Sequence, residues 1–398
     1  MINRAFIVVL SFFLQTASMV AQGSAEEWVK LMDGASELNK AGKFDEAVLV
    51  ANKALLMAEK EAGPNNPAVA SSLSFLGLSY QMQGKMIQAE LSFKRALAIQ
   101  EKYYGKNNIE IVVFLIGLSE LYSATGAFAK AEPIYIRTLS IQEKSLGNSH
   151  KDVALSLIYL ADMYTARGRY SDAEPLYVRS LDIYEKNLGL SHPAVADSLN
   201  GLAELYRLQE KFLLSEPLYK RSLTIRENAA NPDSGHIAMS LNNLGLLYST
   251  LGNYAAAEPL IERALTLLEA RRGIGKLRIT AAMDNLASIY TGKGQYAEAE
   301  ALFLKTLEMK ESQYGPNHYE VGITLNNLSK VYFKQGKYDL AETPLQKGLS
   351  ITEKMLGPEH PIVATCLNNL AGLYRATKRE EQAAALEVRV TAISAIKR

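Results

Sequence analysis

The chain is 398 residues long, 48% apolar and 21% charged, with 43 Lys and Arg against 42 Asp and Glu. That composition excludes a disordered chain, and the even charge balance excludes a global basic field of the kind that recruits nucleic acid or anionic lipid. The single cysteine, Cys366, excludes an intrachain disulfide and any zinc site built on two or more thiols.

The chain opens on MINR, then an apolar run Ala5–Leu14 (AFIVVLSFFL), then the small-residue stretch QTASMVAQGSA. This is the layout of a secretory signal peptide at 1–24, cut between Ala21 and Ala25. The run is shorter than the ~20 residues that span a bilayer. The expectation is an exported bacterial protein, periplasmic or secreted, with no membrane span after cleavage. No cysteine lies near the cleavage region, which excludes lipid attachment there. A mature chain with so few thiols suits an oxidising compartment.

The rest of the chain aligns on tyrosine. Tyr80, Tyr122, Tyr164, Tyr206, Tyr248, Tyr290, Tyr332 and Tyr374 are each 42 residues apart. That period divides it into nine units, 25–66, 67–108, 109–150, 151–192, 193–234, 235–276, 277–318, 319–360 and 361–398, without insertion or deletion. Positions below are counted from the first residue of each unit. Position 3 is Val or Ile from Val69 to Val363, and positions 7, 10 and 14, as in Leu241, Leu244 and Tyr248, continue a stripe down one helix face. Position 11 is small (Gly77, Ser119, Ala161, Ala203, Gly245, Ala287), which admits a neighbouring helix closely. A glycine at position 18, such as Gly168 or Gly252, ends this first helix.

A second helix is expected to start near position 21, with Asp45, Ser171 and Asp339 as N-caps. Ala-Glu-Pro (Ala131–Pro133, Ala173–Pro175, Ala257–Pro259) then puts proline in the first turn, where donors lack intrahelical partners. The helix runs to a Leu-Gly stop such as Leu146-Gly147 or Leu356-Gly357. Glu210-Lys211-Phe212 lacks the turn glycine, so that turn is expected to be stiffer or shifted. The end units are degenerate: Gly34 and Leu38 replace the usual Leu and Tyr, and Lys378 and Glu387 replace the turn glycine and an aromatic. Such units read as caps, because each faces water on one side.

The order Leu-Gly/Ala-x-x-Tyr, Gly, Ala-x-x-x-Tyr/Phe resembles the tetratricopeptide repeat, lengthened from 34 to 42 residues. The loop Gly357-Pro358-Glu359-His360-Pro361 and the phrase Leu-Asn-Asn-Leu look like the kinesin light chain subtype. The resemblance covers residues 25–398. It implies an all-α fold, an α-solenoid in which helix-turn-helix units stack into a right-handed superhelix.

Chemistry is sparse. His150, His192, His318 and His360 share position 42, and His236 lies two residues later in its unit. Helices pack roughly 8–10 Å apart, so successive imidazoles lie too far apart to ligate one zinc at about 2 Å. They read as loop residues capping a helix, and no metal is expected. Cys366 sits where other units carry Ser or Thr and reads as a packed side chain rather than a nucleophile. Neither a nucleotide-binding loop, nor His-Glu-x-x-His, nor Gly-x-Ser-x-Gly occurs. No catalytic residue and no cofactor is expected, and Glu143-Lys144 and Glu185-Lys186 read as solvated faces.

In tetratricopeptide arrays the first helices line a concave groove that holds extended peptides. The resemblance puts positions 5, 8, 9, 12 and 15 on it. The earlier units carry apolar residues there: Phe75, Val113, Ile116, Leu155, Ile158 and Tyr159. Position 12 adds the acids Glu120, Asp162 and Glu204, which suggests a ligand with basic residues. The later units switch to amides at positions 8 and 9. These are Asn200, Asn242, Asn243, Asn285, Asn326, Asn327, Asn368 and Asn369, with Asp284 among them and Arg207, Lys330 and Arg375 as scattered cations. A carboxamide both donates and accepts, so a ladder of them can bond a peptide main chain of any sequence. The competing reading is that the amides knit adjacent first helices together. For position 9 the peptide is favoured, for position 8 the knitting.

The function expected is a non-enzymatic scaffold that binds an extended segment of a protein partner in the groove. The alternatives are an envelope or secreted assembly subunit that uses its outer surfaces, and a repeat module serving an effector enzyme on another chain. No nucleic-acid partner is expected.

Overall fold

A computed structural model of the chain describes residues 22–270 and 276–396. The expected signal peptide lies outside the described residues, apart from Gln22, Gly23 and Ser24, which open the first helix. The described residues form eighteen α-helices and no strand, the architecture of an α-solenoid. None of these helices is long and apolar enough to cross a membrane.

The chain divides into two compact units between Leu160 and Ala161. The first holds α1 (Gln22–Lys40), α2 (Phe44–Ala62), α3 (Pro67–Met82), α4 (Met86–Tyr104), α5 (Val112–Ala124) and α6 (Phe128–Leu146). Helix α7 (Lys151–Ala166) straddles the division. The second unit continues with α8 (Tyr170–Leu188), α9 (Pro193–Leu208), α10 (Phe212–Glu227), α11 (Ser234–Thr250), α12 (Tyr254–Glu269) and α13 (Lys276–Gly292). It ends with α14 (Tyr296–Tyr314), α15 (Tyr319–Lys334), α16 (Tyr338–Leu356), α17 (Pro361–Ala376) and α18 (Glu380–Ile396).

Odd-numbered first helices are capped by side chains. Asn66 and Asn108 do this before α3 and α5, accepting from the backbone N–H two residues on. Histidine does it before α9, α15 and α17: Nδ1 of His192, His318 and His360 accepts from Ala194, Glu320 and Ile362 at 3.1, 3.3 and 3.1 Å. His236 is not the capping loop residue expected but the third residue of α11, whose cap Asp233 accepts from its backbone N–H at 2.9 Å. Four orphan donors open every helix, and an imidazole lone pair satisfies one of them.

Even-numbered helices begin two residues earlier than caps at position 21 would set. Asp45, Ser171 and Asp339 are the second residues of α2, α8 and α16 rather than their caps. The residues that do precede these helices, Lys43, Arg169 and Lys337, make no side-chain cap bond. Pro133, Pro175 and Pro259 consequently fall in the second helical turn, where each removes a backbone donor.

The turn at Glu210 is not shifted. Glu210 N–H donates to Arg207 O at 3.0 Å and Lys211 N–H to Tyr206 O at 2.8 Å. Gly168 and Arg169 make the same pair of bonds at 3.0 and 2.8 Å. Glu210 reaches this geometry at φ +59°, and Lys378 at φ +60° in the last turn. The terminal carbonyls of the first helix dictate the turn, so a residue with a Cβ adopts the left-handed conformation at an energetic cost.

Two contacts recur through the stack. Bulky side chains of even helices fill notches in odd ones: the Phe93 ring lies against Gly77 and Gly117, where an added Cβ would stand 2.9 Å from it. The period-setting tyrosines hydrogen-bond the glutamate of the preceding Ala-Glu or Ser-Glu pair. Tyr122, Tyr206, Tyr248 and Tyr332 donate to Glu90, Glu174, Glu216 and Glu300 at 2.7–2.9 Å. On the outer surface Glu185 bonds Arg221 at 2.6 Å, so it is not simply solvated. Arg137–Glu101 and Arg263–Glu227 repeat that pair at 2.7 and 2.6 Å. Exposed pairs of this kind contribute ~0–1 kcal/mol each.

Glu210→Gly is expected to raise stability by about 0.5–1 kcal/mol, the relief of left-handed strain less the extra chain entropy of glycine; the shift in urea midpoint measures it. His318 is a buried cap whose pKa is lowered to about 4, chiefly by burial. Its neutral form is the one the fold holds, so its contribution is complete above the unfolded value near 6.5 and is lost as pH falls toward about 4. Melting temperature should decline over that window, and less steeply in His318→Asn, which keeps a capping oxygen that does not titrate.

Candidate functional site

The odd-numbered helices carry every residue singled out for the inner face. In α3 and α5 that face is closed. Phe75 and Glu120 are buried, at 1% and 7% exposure, as are Val113 and Ile116. In α7, Ile158 and Tyr159 are buried and Leu155 is half-buried. The expected open surface at Phe75, Glu120 and Tyr159 is therefore corrected. Their helices include SSLSFLGLS and IVVFLIGL, and a helix that is apolar nearly all round is enclosed.

The other two acids serve their own repeats. Tyr177 Oη donates to Asp162 Oδ1 at 2.5 Å, and Tyr219 Oη donates to Glu204 Oε2 at 2.7 Å. Arg207 forks Glu204 through Nε at 2.8 Å and Nη2 at 2.6 Å. Burial, then the facing carboxylates, push both phenols above the usual tyrosine range. The acidic row expected to meet a basic ligand is thus engaged by α8 and α10. Arg375 is likewise paired, with Glu387 of α18 at 2.8 Å, whereas Lys330 and Asn368 are exposed.

The amides divide in two ways. Asn285 Nδ2 donates to Asn242 Oδ1 at 2.9 Å, and Asn369 Nδ2 donates to Asn326 Oδ1 at 2.9 Å. In each case a position-9 amide of one first helix grips the position-8 amide of the previous one. Asn243 and Asn327 are also half-buried position-9 amides, but their side chains make no hydrogen bond among the described residues.

What separates the two classes lies at position 34 of the intervening even helix. In α10 that residue is Arg226, 3% exposed, which bonds Asp197 at 2.7 Å, Ser240 Oγ at 2.8 Å and His236 O at 3.0 Å. With its amide oxygen turned toward this guanidinium, Asn200 accepts from Arg226 at 2.8 and 3.1 Å and from Ser222 Oγ at 3.0 Å. Asn200 is therefore a buried seam residue and not a groove contact, which corrects that expectation. In α14 the residue is Lys310, 1% exposed, bonded to Asp284 at 2.8 Å, Glu320 at 2.9 Å and Thr324 Oγ1 at 3.0 Å. Burial opposes both charges. At Asp284 it prevails and raises the carboxyl above its usual range; at Lys310 the carboxylates of Glu320 and Asp284 outweigh it and raise the ammonium. In α12 and α16 the equivalent residues are Leu268 and Thr352, which bring no charge.

Sequence reasoning missed these buried cations. An Arg or Lys standing where other repeats carry Ala58, Gln100, Gln142, Tyr184, Leu268 and Thr352 was the available signal. Cys366 is buried against Thr352 Oγ1 at 3.8 Å, and burial pushes its thiol up, the state of an unreactive packed cysteine. Among the described residues no group of three or more His, Cys, Asp or Glu is placed to hold a metal ion.

A family model described as tetratricopeptide repeat matches residues 35–102, 110–186, 194–270, 278–354 and 331–395. No curated protein matches the chain in sequence. Among solved structures, a Rap protein complexed with Competence and Sporulation Factor is 16% identical, with a TM-score of 0.62 over 94% of this chain and 99% of that one. The apo quorum sensor NprR from B. thuringiensis is 16% identical, with a TM-score of 0.56 over 89% and 97%. A tetratricopeptide repeat protein from Parabacteroides merdae is 18% identical, with a TM-score of 0.51 over 77% and 99%. At these identities the likeness is one of fold.

Lys310→Met leaves Asp284 and Glu320 without their counter-charge and is expected to destabilise the second unit by about 3–5 kcal/mol. Adding Asp284→Leu should recover most of that loss in urea unfolding, because Glu320 keeps partial access to water.

Proposed function

The chain belongs to the tetratricopeptide repeat family, and on that premise we propose that it is a non-enzymatic scaffold for a protein partner. The partner's extended segment lies along the amide face of α11, α13, α15 and α17. One observation carries the reading: Asn243 and Asn327 hold half-exposed carboxamides that make no hydrogen bond among the described residues. An amide left so positioned satisfies itself with water, or with the N–H and C=O of a passing main chain. Asn285 and Asn369 spend a donor on a neighbouring helix and have less to offer. The Rap and NprR folds are compatible with this reading and do not carry it. We further propose, from the N-terminal pattern alone, that the scaffold works outside the cytoplasm.

A second reading has its own support. Leu49, Leu56, Ile87 and Leu91 on α2 and α4 are 63–75% exposed, on even helices that in such arrays face outward. An assembly subunit would use them. Light scattering separates the two, since a stable oligomer that the Leu49→Glu, Ile87→Glu pair dissolves favours the second.

For the first reading, a partner captured on the immobilised chain and then titrated by calorimetry should bind about 5- to 150-fold more weakly to Asn243→Ala, Asn327→Ala, the loss of two hydrogen bonds at ~0.5–1.5 kcal/mol each. The circular dichroism melt should barely move. Equal affinity of the folded double variant sinks the proposal.

A further inference from the structure

The four position-9 amides sit on equivalent helix faces, yet only alternate ones are engaged, and the alternation follows the residue at position 34. Where α10 supplies Arg226, Asn200 turns into the seam and Asn243 of the next first helix is left open. Where α12 supplies Leu268, nothing draws Asn242 inward, and it accepts from Asn285 at 2.9 Å. Where α14 supplies Lys310, Asp284 turns inward at 2.8 Å and Asn327 is left open. Where α16 supplies Thr352, the hydroxyl bonds its own helix at Gly348 O and Leu349 O. Asn326 then accepts from Asn369 at 2.9 Å.

We infer that Arg226 and Lys310 are positioning residues: by holding Asn200 and Asp284 in the seams, they keep Asn243 and Asn327 open to a ligand at every second repeat. The inference rests on the scaffold reading for the ligand's nature but not for the geometry. Arg226 engages the oxygen of Asn200, while Lys310 and Thr324 hold Asp284 through Oδ2 and keep its Oδ1 buried and unbonded, away from Asn327. An uncharged residue at position 34 instead closes the rung.

The spacing narrows the ligand. First helices stack at ~10 Å per repeat, which places Asn243 and Asn327 about 20 Å apart. An extended chain rises ~3.3 Å per residue, so the two amides would meet main-chain groups about six residues apart. The fitting partner is an extended, unpaired stretch of at least about eight residues, gripped through its backbone at two points.

The test uses the full chain. Side-chain amide resonances of the four asparagines are assigned by single Asn→Gln variants, and their exchange with water is recorded. Asn285 and Asn369 should exchange about fivefold more slowly than Asn243 and Asn327, the factor that a net ~1 kcal/mol hydrogen bond supplies. The variant Asp284→Asn, Lys310→Thr copies the seam of α15–α17 into α13–α15. It should slow Asn327 by about fivefold and leave Asn243 unchanged. Should that variant unfold by circular dichroism, Arg226→Leu, which copies Leu268, should slow Asn243 instead, with Asp197 turning to water. Equal exchange of all four amides in the parent, or an unchanged target amide in a folded variant, overturns the inference. A labelled random-sequence peptide pool of about twelve residues, titrated in parallel, tests the ligand. Slowed exchange with unaltered peptide affinity supports the seam assignment and removes the peptide reading.

Discussion

Close approach of helices at a small notch is the constraint from which the rest of this structure follows. Phe93 of α4 lies between Gly77 of α3 and Gly117 of α5, with no room for a Cβ at either glycine. Tyr177 of α8 does the same against Gly201 of α9, and Ile261 of α12 fills the notch at Gly245. Phe93 thus fixes both the pairing within its repeat and the stacking onto the next, while Tyr177 serves the stacking and Ile261 the pairing. Dispersion and burial reward that contact only if the spacing is kept along the chain, which is why the 42-residue period never slips.

That spacing also brings polar groups together in fixed registers. Tyrosine at position 14 meets glutamate of the preceding even helix, and arginine on one even helix meets glutamate on the one before. Position 34 meets position 8 of its own first helix and position 6 of the next, so whatever stands there decides how position 8 is satisfied. Buried charges are tolerated when counter-charges and acceptors surround them, and Arg226 and Lys310 each gather several acceptors. The amide ladder is therefore not a uniform strip. Its rungs are sorted by residues that never reach its surface.

Much of this was legible in the chain. Tyrosine spacing, the small position 11 and the Leu-Gly stops follow from the periodicity of a helix pair, and the caps His192, His318 and His360 follow from their place in the preceding loop, whereas His236 falls inside α11. Less legible was anything set by a partner on another helix. Glu120, Asp162 and Glu204 read alike in a column, yet Asp162 and Glu204 accept from tyrosines fifteen residues later. Phe75 and Tyr159 fell on the face that the family resemblance assigns to a groove, but their helices are apolar on nearly every side and are enclosed. Glu210 broke a glycine rule without moving the turn, because hydrogen bonds to the helix end outweigh the conformational preference of one residue.

The amino-acid sequence by itself determined the class of fold, the length of each helix pair and the places where helices must touch, since these depend on local periodicity and on side-chain size. Only the tertiary structure decided which polar groups remain unspent. Asn243 and Asn285 are the same residue at the same position in neighbouring repeats, and one is open while the other is engaged. The difference comes from Arg226 in one seam and Leu268 in the next, because a hydrogen-bond acceptor goes to the stronger donor within its reach.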